Sequence, residues 1–352
     1  MIKKIFFALF TVIFIVGTYC LLHSNIGFRP DFTVAIIETG MNKLKSEIRY
    51  FDEDLNLIYV QSLSFARLGK KFMDLDEKKL MLSGGTDWIG CKYVIELDTN
   101  NGKIKKYYVD QAYNLAMTAN DKYVFASYTA KDSSISRCNK RTGQIKKMSV
   151  PDVFVDCLYI SDDNLLYVFG GDATNEKSNL YIIDPEELKI LKTFDIKDKG
   201  YYQEECMKIG DYLYFLNYCT FEKLEHGTKC WPASTMTKFN TKTYEFEDIK
   251  IEKWPRRFFK CGDILYITHN KSLYEPTNKL TLYNLKTGEQ TIKTLKHEIY
   301  DDGMTIDEKN QRLYLASPEG ISQYDLKTLK PIKTVKGYSE DDGLYGSTLF
   351  VK

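Results

Sequence analysis

Histidine is scarce: the chain has four in 352 residues, at positions 23, 226, 269 and 297, and no two stand at metal-ligand spacing. No Gly-x-Ser-x-Gly elbow and no phosphate-binding glycine loop occurs, which removes the commonest sequence marks of hydrolases and nucleotide enzymes. Proline and glycine number only 8 and 21 while 43% of the chain is apolar, so collagen and disorder are excluded. Net charge is nearly absent too. Lys+Arg 49 against Asp+Glu 48 leaves +1, and no global field draws the protein to nucleic acid. Helix-length hydrophobic periods are missing after the first thirty residues.

What is plentiful is aromatic. Tyr 26, Phe 20 and Trp 3 suit half-buried pleated surfaces, so composition already leans towards β structure. The N-terminus differs: Lys3 and Lys4 precede an uncharged run from Ile5 to Leu22, the pattern of an export signal. Its length favours a retained anchor with a cytoplasmic N-terminus and the rest of the chain outside the cell membrane. Cleavage and secretion, or lipid on Cys20 behind the bulky Tyr19, are the alternatives. Residues 1–30 are therefore expected to be a signal anchor and linker, and 31–352 a single folded domain.

That domain is repetitive. An apolar-Tyr-apolar strand, a strand ending in Asp or Asn, a turn and a Lys-rich strand recur. The turn-entry residues are Asp52, Asp98, Asn139, Asp184, Asn240, Asn284 and Asp325, at spacings of 46, 41, 45, 56, 44 and 41. Strand-sized alternation between Asx and Gly turns makes each unit a four-stranded antiparallel meander. A small sheet cannot bury both of its faces alone, and radial stacking of units this size gives an all-β, seven-bladed β-propeller. Asp341-Asp342-Gly343-Leu344 copies Asp301-Asp302-Gly303-Met304, so the strand that follows is expected to complete a first blade made of segments 33–37, 47–51 and 55–61. An open sandwich with a frayed tail is the alternative.

The strands at 166–168, 213–215, 265–267 and 313–315, with the Asp/Asn-x-x-Thr-Gly turns at 139–143 and 284–288, resemble seven-bladed propellers of the YVTN type and their quinoprotein-like relatives in exported bacterial proteins. The resemblance implies architecture more than activity, since such folds serve as binding platforms, lactonases, lyases and dehydrogenases. No Trp closes the repeats as in quinone-dependent dehydrogenases, which argues against a quinone cofactor. No Trp-Asp pair ends a strand as in WD40 repeats, and only 167–171, Tyr-Val-Phe-Gly-Gly, is similar to a kelch blade.

In a propeller the inter-blade connections and the loops between second and third strands open on one face. Ordered around that face, the connections carry Lys70-Lys71, Asp110-Gln111, Asp152 to Asp156, Glu204-Glu205, Arg256-Arg257, Asp301-Asp302 and Asp341-Asp342, an acidic arc with basic points. Asp301, Asp302, Asp341 and Asp342 are four hard donors from neighbouring blades and a candidate Ca²⁺ site; ordinary Asp-Asp-Gly turn chemistry is the competing explanation. No other cofactor is called for. Trp88, Tyr128, Tyr274 and Trp231 are candidate stacking residues for a sugar or peptide, with Arg256 and Arg257 beside them; local packing beneath their own loops is the alternative. Trp231 lies in the longest loop, 217–235, where Cys219 and Cys230 are a candidate disulfide and His226 lacks the third group that a thiol nucleophile's base needs. Cys157, Cys206 and Cys261, on consecutive first strands, either pair or pack. The leading expectation is a non-catalytic extracytoplasmic binding module for a protein or glycan of the envelope, touching the membrane only through its N-terminal helix. The rival is a metal-assisted lactonase or lyase at the channel mouth.

Overall fold

A computed structural model describes residues 31–40, 46–63, 71–73, 79–83, 92–110, 114–128, 132–151, 153–203, 205–225, 227–272, 275–300, 303–317, 320–336 and 344–352. Within these, 28 strands form seven four-stranded antiparallel sheets. Blade 1 is β1 (Val34–Gly40), β2 (Ser46–Phe51) and β3 (Leu57–Leu63), completed by the C-terminal strand β28 (Leu344–Val351). Blade 2 is β4 (Lys71–Met73), β5 (Lys79–Ser83), β6 (Tyr93–Asp98) and β7 (Ile104–Tyr108). Blade 3 is β8 (Asn114–Ala119), β9 (Tyr123–Tyr128), β10 (Asp132–Asn139) and β11 (Ile145–Pro151). Blade 4 is β12 (Phe154–Ile160), β13 (Leu166–Asp172), β14 (Lys177–Asp184) and β15 (Lys189–Asp195). Blade 5 is β16 (Cys206–Ile209), β17 (Tyr212–Leu224), β18 (Gly227–Asn240) and β19 (Phe246–Lys250). Blade 6 is β20 (Pro255–Cys261), β21 (Ile264–Asn270), β22 (Pro276–Asn284) and β23 (Gln290–Ile299). Blade 7 is β24 (Met304–Asp307), β25 (Arg312–Ser317), β26 (Gly320–Asp325) and β27 (Pro331–Val335). The seven-bladed propeller expected from the spacing is the fold. No described helix is long and apolar enough to cross a membrane, and residues 1–30 with their expected anchor lie outside the described residues.

The blades stack because their middle strands are apolar on both faces. Successive residues of a strand point to opposite sides, and Leu166, Tyr167, Val168 and Phe169 of β13 are all fully buried. Leu166 and Val168 pack against Phe125 and Ile135 of blade 3, whereas Tyr167 and Phe169 pack against Leu213 and Phe215 of blade 5. The same division repeats at every interface, so each of the seven blade pairs shares its own apolar cluster.

The turn between third and fourth strands explains the spacing of the repeat. In each blade the Asx side chain accepts backbone N–H groups two to four residues ahead, for example Asn139 from Arg141 and Thr142 at 3.0 Å each, and Asn284 from Lys286 at 2.9 Å. Asp52, Asp98, Asp184, Asn240 and Asp325 do the same. In six blades the residue four positions on from the Asx takes positive φ, 70° at Gly143 and 72° at Gly288, and in blade 1 it is Leu55, three positions on; this conformation returns the chain to its partner strand.

Closure is by hydrogen-bonded ladder. β28 pairs antiparallel with β1 from Val34↔Val351 to Gly40↔Leu344, and Phe350 stacks edge-on against Phe32, 5.9 Å between centroids. The Lys352 ammonium adds an ion pair to Asp31 at 3.0 Å. Deleting residues 341–352 should strip the edge of β1 and uncover Phe32 and Tyr50, lowering the melting temperature and causing concentration-dependent aggregation; calorimetry and light scattering check this, and an unchanged monomer would refute the closing role.

Candidate functional site

Two ends of the propeller differ in construction. One carries the Asx turns. The other carries the inter-blade connections, and there the channel-lining first strands share an irregularity: the ladder of β8 breaks between Asn114 and Met117, that of β12 between Val155 and Cys157, and that of β20 between Pro255 and Phe258. Such bulges re-aim side chains, and second-strand hydroxyls satisfy the backbone they disturb. Ser127 accepts the Ala116 N–H at 3.0 Å and Thr268 that of Arg257 at 3.1 Å. Arg257 is buried and pairs with Glu205 of the preceding connection at 3.1 Å, so these two members of the expected ring do meet. Arg256 lies 5.1 Å over the ring of Tyr218. Asp110, in contrast, belongs to the outer rim: it binds Lys147 of β11 at 2.7 Å, Lys92 at 3.1 Å and the Tyr108 hydroxyl at 2.8 Å, which hold its pKa well below the usual carboxylate range.

The segment 217–235, expected to be an irregular loop, is a hairpin. β17 and β18 outgrow the other blades, pairing from Tyr212↔Asn240 to Leu224↔Gly227 with one break after Asn217. Gly227 sits at its turn and Pro232 beside that break. One face, with Cys219, Phe221 and Cys230, packs on Tyr201, Tyr218 and Trp254. Gly200 permits this, since a Cβ there would stand 2.8 Å from the Cys219 carbonyl oxygen. The other face presents Trp231. Its indole is 42% exposed; Nε1 donates to Glu222 at 2.8 Å, and the Lys229 ammonium stands 3.8 Å from the ring centroid. The ring is thus oriented by its own hairpin.

Cys219 and Cys230 share the inner face with their side chains hydrogen-bonded to one another. Burial raises the Cys230 pKa and that hydrogen bond opposes the rise. The strand ladder orders the hairpin and with it Trp231.

Tyr202 and Trp254 were not singled out in the sequence, yet both belong to this shelf. Each has positive φ, 58° and 53°, costly for a bulky aromatic. Tyr202 remains exposed, edge-on to Phe221 at 5.7 Å, and Trp254 stacks on Tyr218 at 5.1 Å. The available signal was a Tyr-Tyr doublet and a Trp-Pro step placed in successive inter-blade connections. Beneath them His269 is buried: Nδ1–H donates to the Lys253 carbonyl at 3.1 Å and Nε2 accepts from the Thr281 hydroxyl at 2.8 Å, which fixes a neutral tautomer. Burial pushes its pKa down to about 4.

A second concavity, about 530 Å³, lies at the turn end between blades 2 and 3, over Glu96, Tyr107 and Lys140. Glu96 accepts from Lys140 at 2.8 Å and faces Lys105 at 3.8 Å, while Lys122 on its rim pairs with Glu186 at 2.8 Å. Its lysines are largely answered by carboxylates.

Tyr128 ends β9, half-buried, at the loop end of blade 3. Trp88, Tyr274, His226, Asp301, Asp302, Asp341 and Asp342 lie outside the described residues. Among the described residues no three His, Cys, Asp or Glu side chains converge as metal ligands.

No family model and no curated protein matches this chain. Solved structures do, at low identity. A functionally unknown protein from Desulfotomaculum acetoxidans is 10% identical over 91% of this chain and 99% of its own, with a TM-score of 0.63. A Bacteroides fragilis protein proposed to be a 6-phosphogluconolactonase is 11% identical over 92% and 98%, TM-score 0.59. Hydrazine synthase of Kuenenia stuttgartiensis is 15% identical over 78% and 88%, TM-score 0.55. These likenesses establish the fold alone.

The His269 environment generates a pH dependence. Its pKa is lower in the fold (about 4) than in the unfolded chain (6.5), so its contribution is complete above pH 6.5 and is lost as pH falls through about 4. Denaturant titrations over that window should show about 3 kcal/mol more loss in the wild type than in His269→Gln.

Proposed function

We propose that this propeller is a non-catalytic binding module, displayed outside the cell membrane, that takes a protein or glycan on its loop end at blades 5 and 6. The observation that carries the reading is the overgrown β17–β18 hairpin, which holds Trp231 half-exposed and oriented by Glu222 and Lys229. Rigid aromatic surface with the Glu222 carboxylate and the Lys229 ammonium beside it offers stacking and polar recognition at little ordering cost. The strained backbone of Tyr202 and Trp254 belongs to the same shelf, where strain is expected when surrounding structure serves recognition.

The fold of the Bacteroides protein keeps a second reading in view, a lactonase or lyase in which a cation held by Asp301, Asp302, Asp341 and Asp342 polarises a substrate carbonyl. Elemental analysis of the purified protein separates the two. On the binding reading, no stoichiometric Ca²⁺ survives dialysis; a retained ion that Asp302→Ala and Asp342→Ala release would favour the enzyme.

The binding test uses the full-length protein against arrayed envelope glycans and envelope proteins. Trp231→Ala should weaken the ligand retained by the wild type by about 1 to 3 kcal/mol while leaving the melting temperature unchanged. A variant that melts earlier yet binds with unaltered affinity would make Trp231 a packing residue and move the site elsewhere.

A further inference from the structure

The outermost strand of a propeller blade leaves one row of N–H and C=O groups unpaired, an invitation to another strand that charged side chains normally suppress. Six of the seven outer strands here obey the rule, carrying Lys105 on β7, Lys147 on β11, Lys192 on β15, Lys250 on β19, Lys293 on β23 and Lys333 on β27. β3 does not. Its sequence, Leu-Ile-Tyr-Val-Gln-Ser-Leu, has no charge, and its first three residues are 50%, 43% and 40% exposed, so apolar surface lies on both faces of the edge. The strand is also held firmly: the Tyr50 hydroxyl donates to Gln61 Oε1 at 2.7 Å, and Gln61 Nε2 donates to the Gly102 carbonyl of blade 2 at 3.2 Å. Pairing would therefore order little that is not already ordered.

We propose that β3 is a dimer interface at which two copies of this chain pair edge to edge, antiparallel about a two-fold axis, joining two first blades into one eight-stranded sheet. An isologous antiparallel contact sets residue i against j and j against i, so a charged strand pairs with its copy only in registers that keep like charges apart, whereas an uncharged strand is not restricted. β3 alone among the outer strands carries no charge and meets that condition in any register. Leu57, Ile58 and Tyr59 would leave water in the process, and Gln61 and Ser62 add neutral polar groups only.

The measurement is the mass in solution of the full-length chain across a concentration series, in detergent if it extracts with membranes. The wild type should reach twice the mass of one chain. Ile58→Lys should raise the dimer dissociation constant about tenfold or more without changing the melting temperature, and Leu57→Glu, on the other face of the strand, should repeat the effect. Ile332→Lys, a comparably exposed position on β27, should leave the dimer intact. A wild-type chain that stays monomeric overturns the proposal, whether the edge then takes a strand from another protein or is covered by residues 1–30. A dimer that survives both β3 variants overturns it as well, since association through residues 1–30 would behave that way.

Discussion

A four-stranded sheet with two apolar faces has no stable existence in water, and everything in this chain follows from how that difficulty is met. Each blade buries both faces against its neighbours, so the arrangement is satisfied only when the last blade meets the first. The β28–β1 ladder is where that condition is imposed. It welds chain ends more than three hundred residues apart into a single sheet, and through Phe350, Phe32 and Tyr50 it completes the apolar cluster between blades 1 and 2. Without it one blade would lack its inner strand and one interface its filling, which is why the ring rather than the blade is the unit of stability.

The turn end and the loop end divide the remaining work. At the turn end the chain reversal itself is local, with an Asx oxygen capping amides within four residues and a residue at positive φ turning the chain, while ion pairs such as Lys140–Glu96 and Lys122–Glu186 tie neighbouring blades. At the loop end the demands are met across blades. Glu205 reaches Arg257 52 positions away, Asn270 donates to the Tyr218 hydroxyl at the same separation, and a glycine is kept so that one connection can pass under the hairpin. Cys157 and Cys206 illustrate the same non-local order lower in the blades, with sulfurs 3.4 Å apart across the interface between blades 4 and 5 and both thiols buried.

This division decides what could be read from the residues alone. Seven blades were legible because the Asx side chain must stand at a fixed offset from its turn, so the periodicity is written in residue identity. Closure was legible because Asp341-Asp342-Gly343 repeats an earlier blade entry. The hairpin at 217–235 was not, because Gly227 and Pro232 interrupt an alternation that cross-strand pairing nevertheless maintains from Thr220↔Trp231 to Leu224↔Gly227. Arg256 and Arg257 read as exposed basic points, yet one lies over Tyr218 and the other is buried against Glu205; no local pattern encodes a partner supplied by another blade.

Once the interfaces hold the ring, much of the outer surface is free of structural duty, and the exposed apolar side chains show where that freedom is used. Leu191, Ile292 and Ile332 are each about half exposed on outer strands, but each adjoins a lysine, Lys192, Lys293 or Lys333, that keeps the edge solvated. Two of the places that depart from that pattern bear on association. On the hairpin, Trp231 is oriented by Glu222 and Lys229 so that part of its ring stays in water. On β3, Leu57, Ile58 and Tyr59 follow one another with no charge in the strand. Exposed apolar surface that a neighbouring lysine masks is an accident a stable protein tolerates; surface left unmasked and held rigid is what association selects, since its burial returns free energy with little entropy to repay. The ring therefore supplies stability from its interior, and the proposed recognition and self-pairing fall to two separate parts of its periphery, which substitutions can alter one at a time.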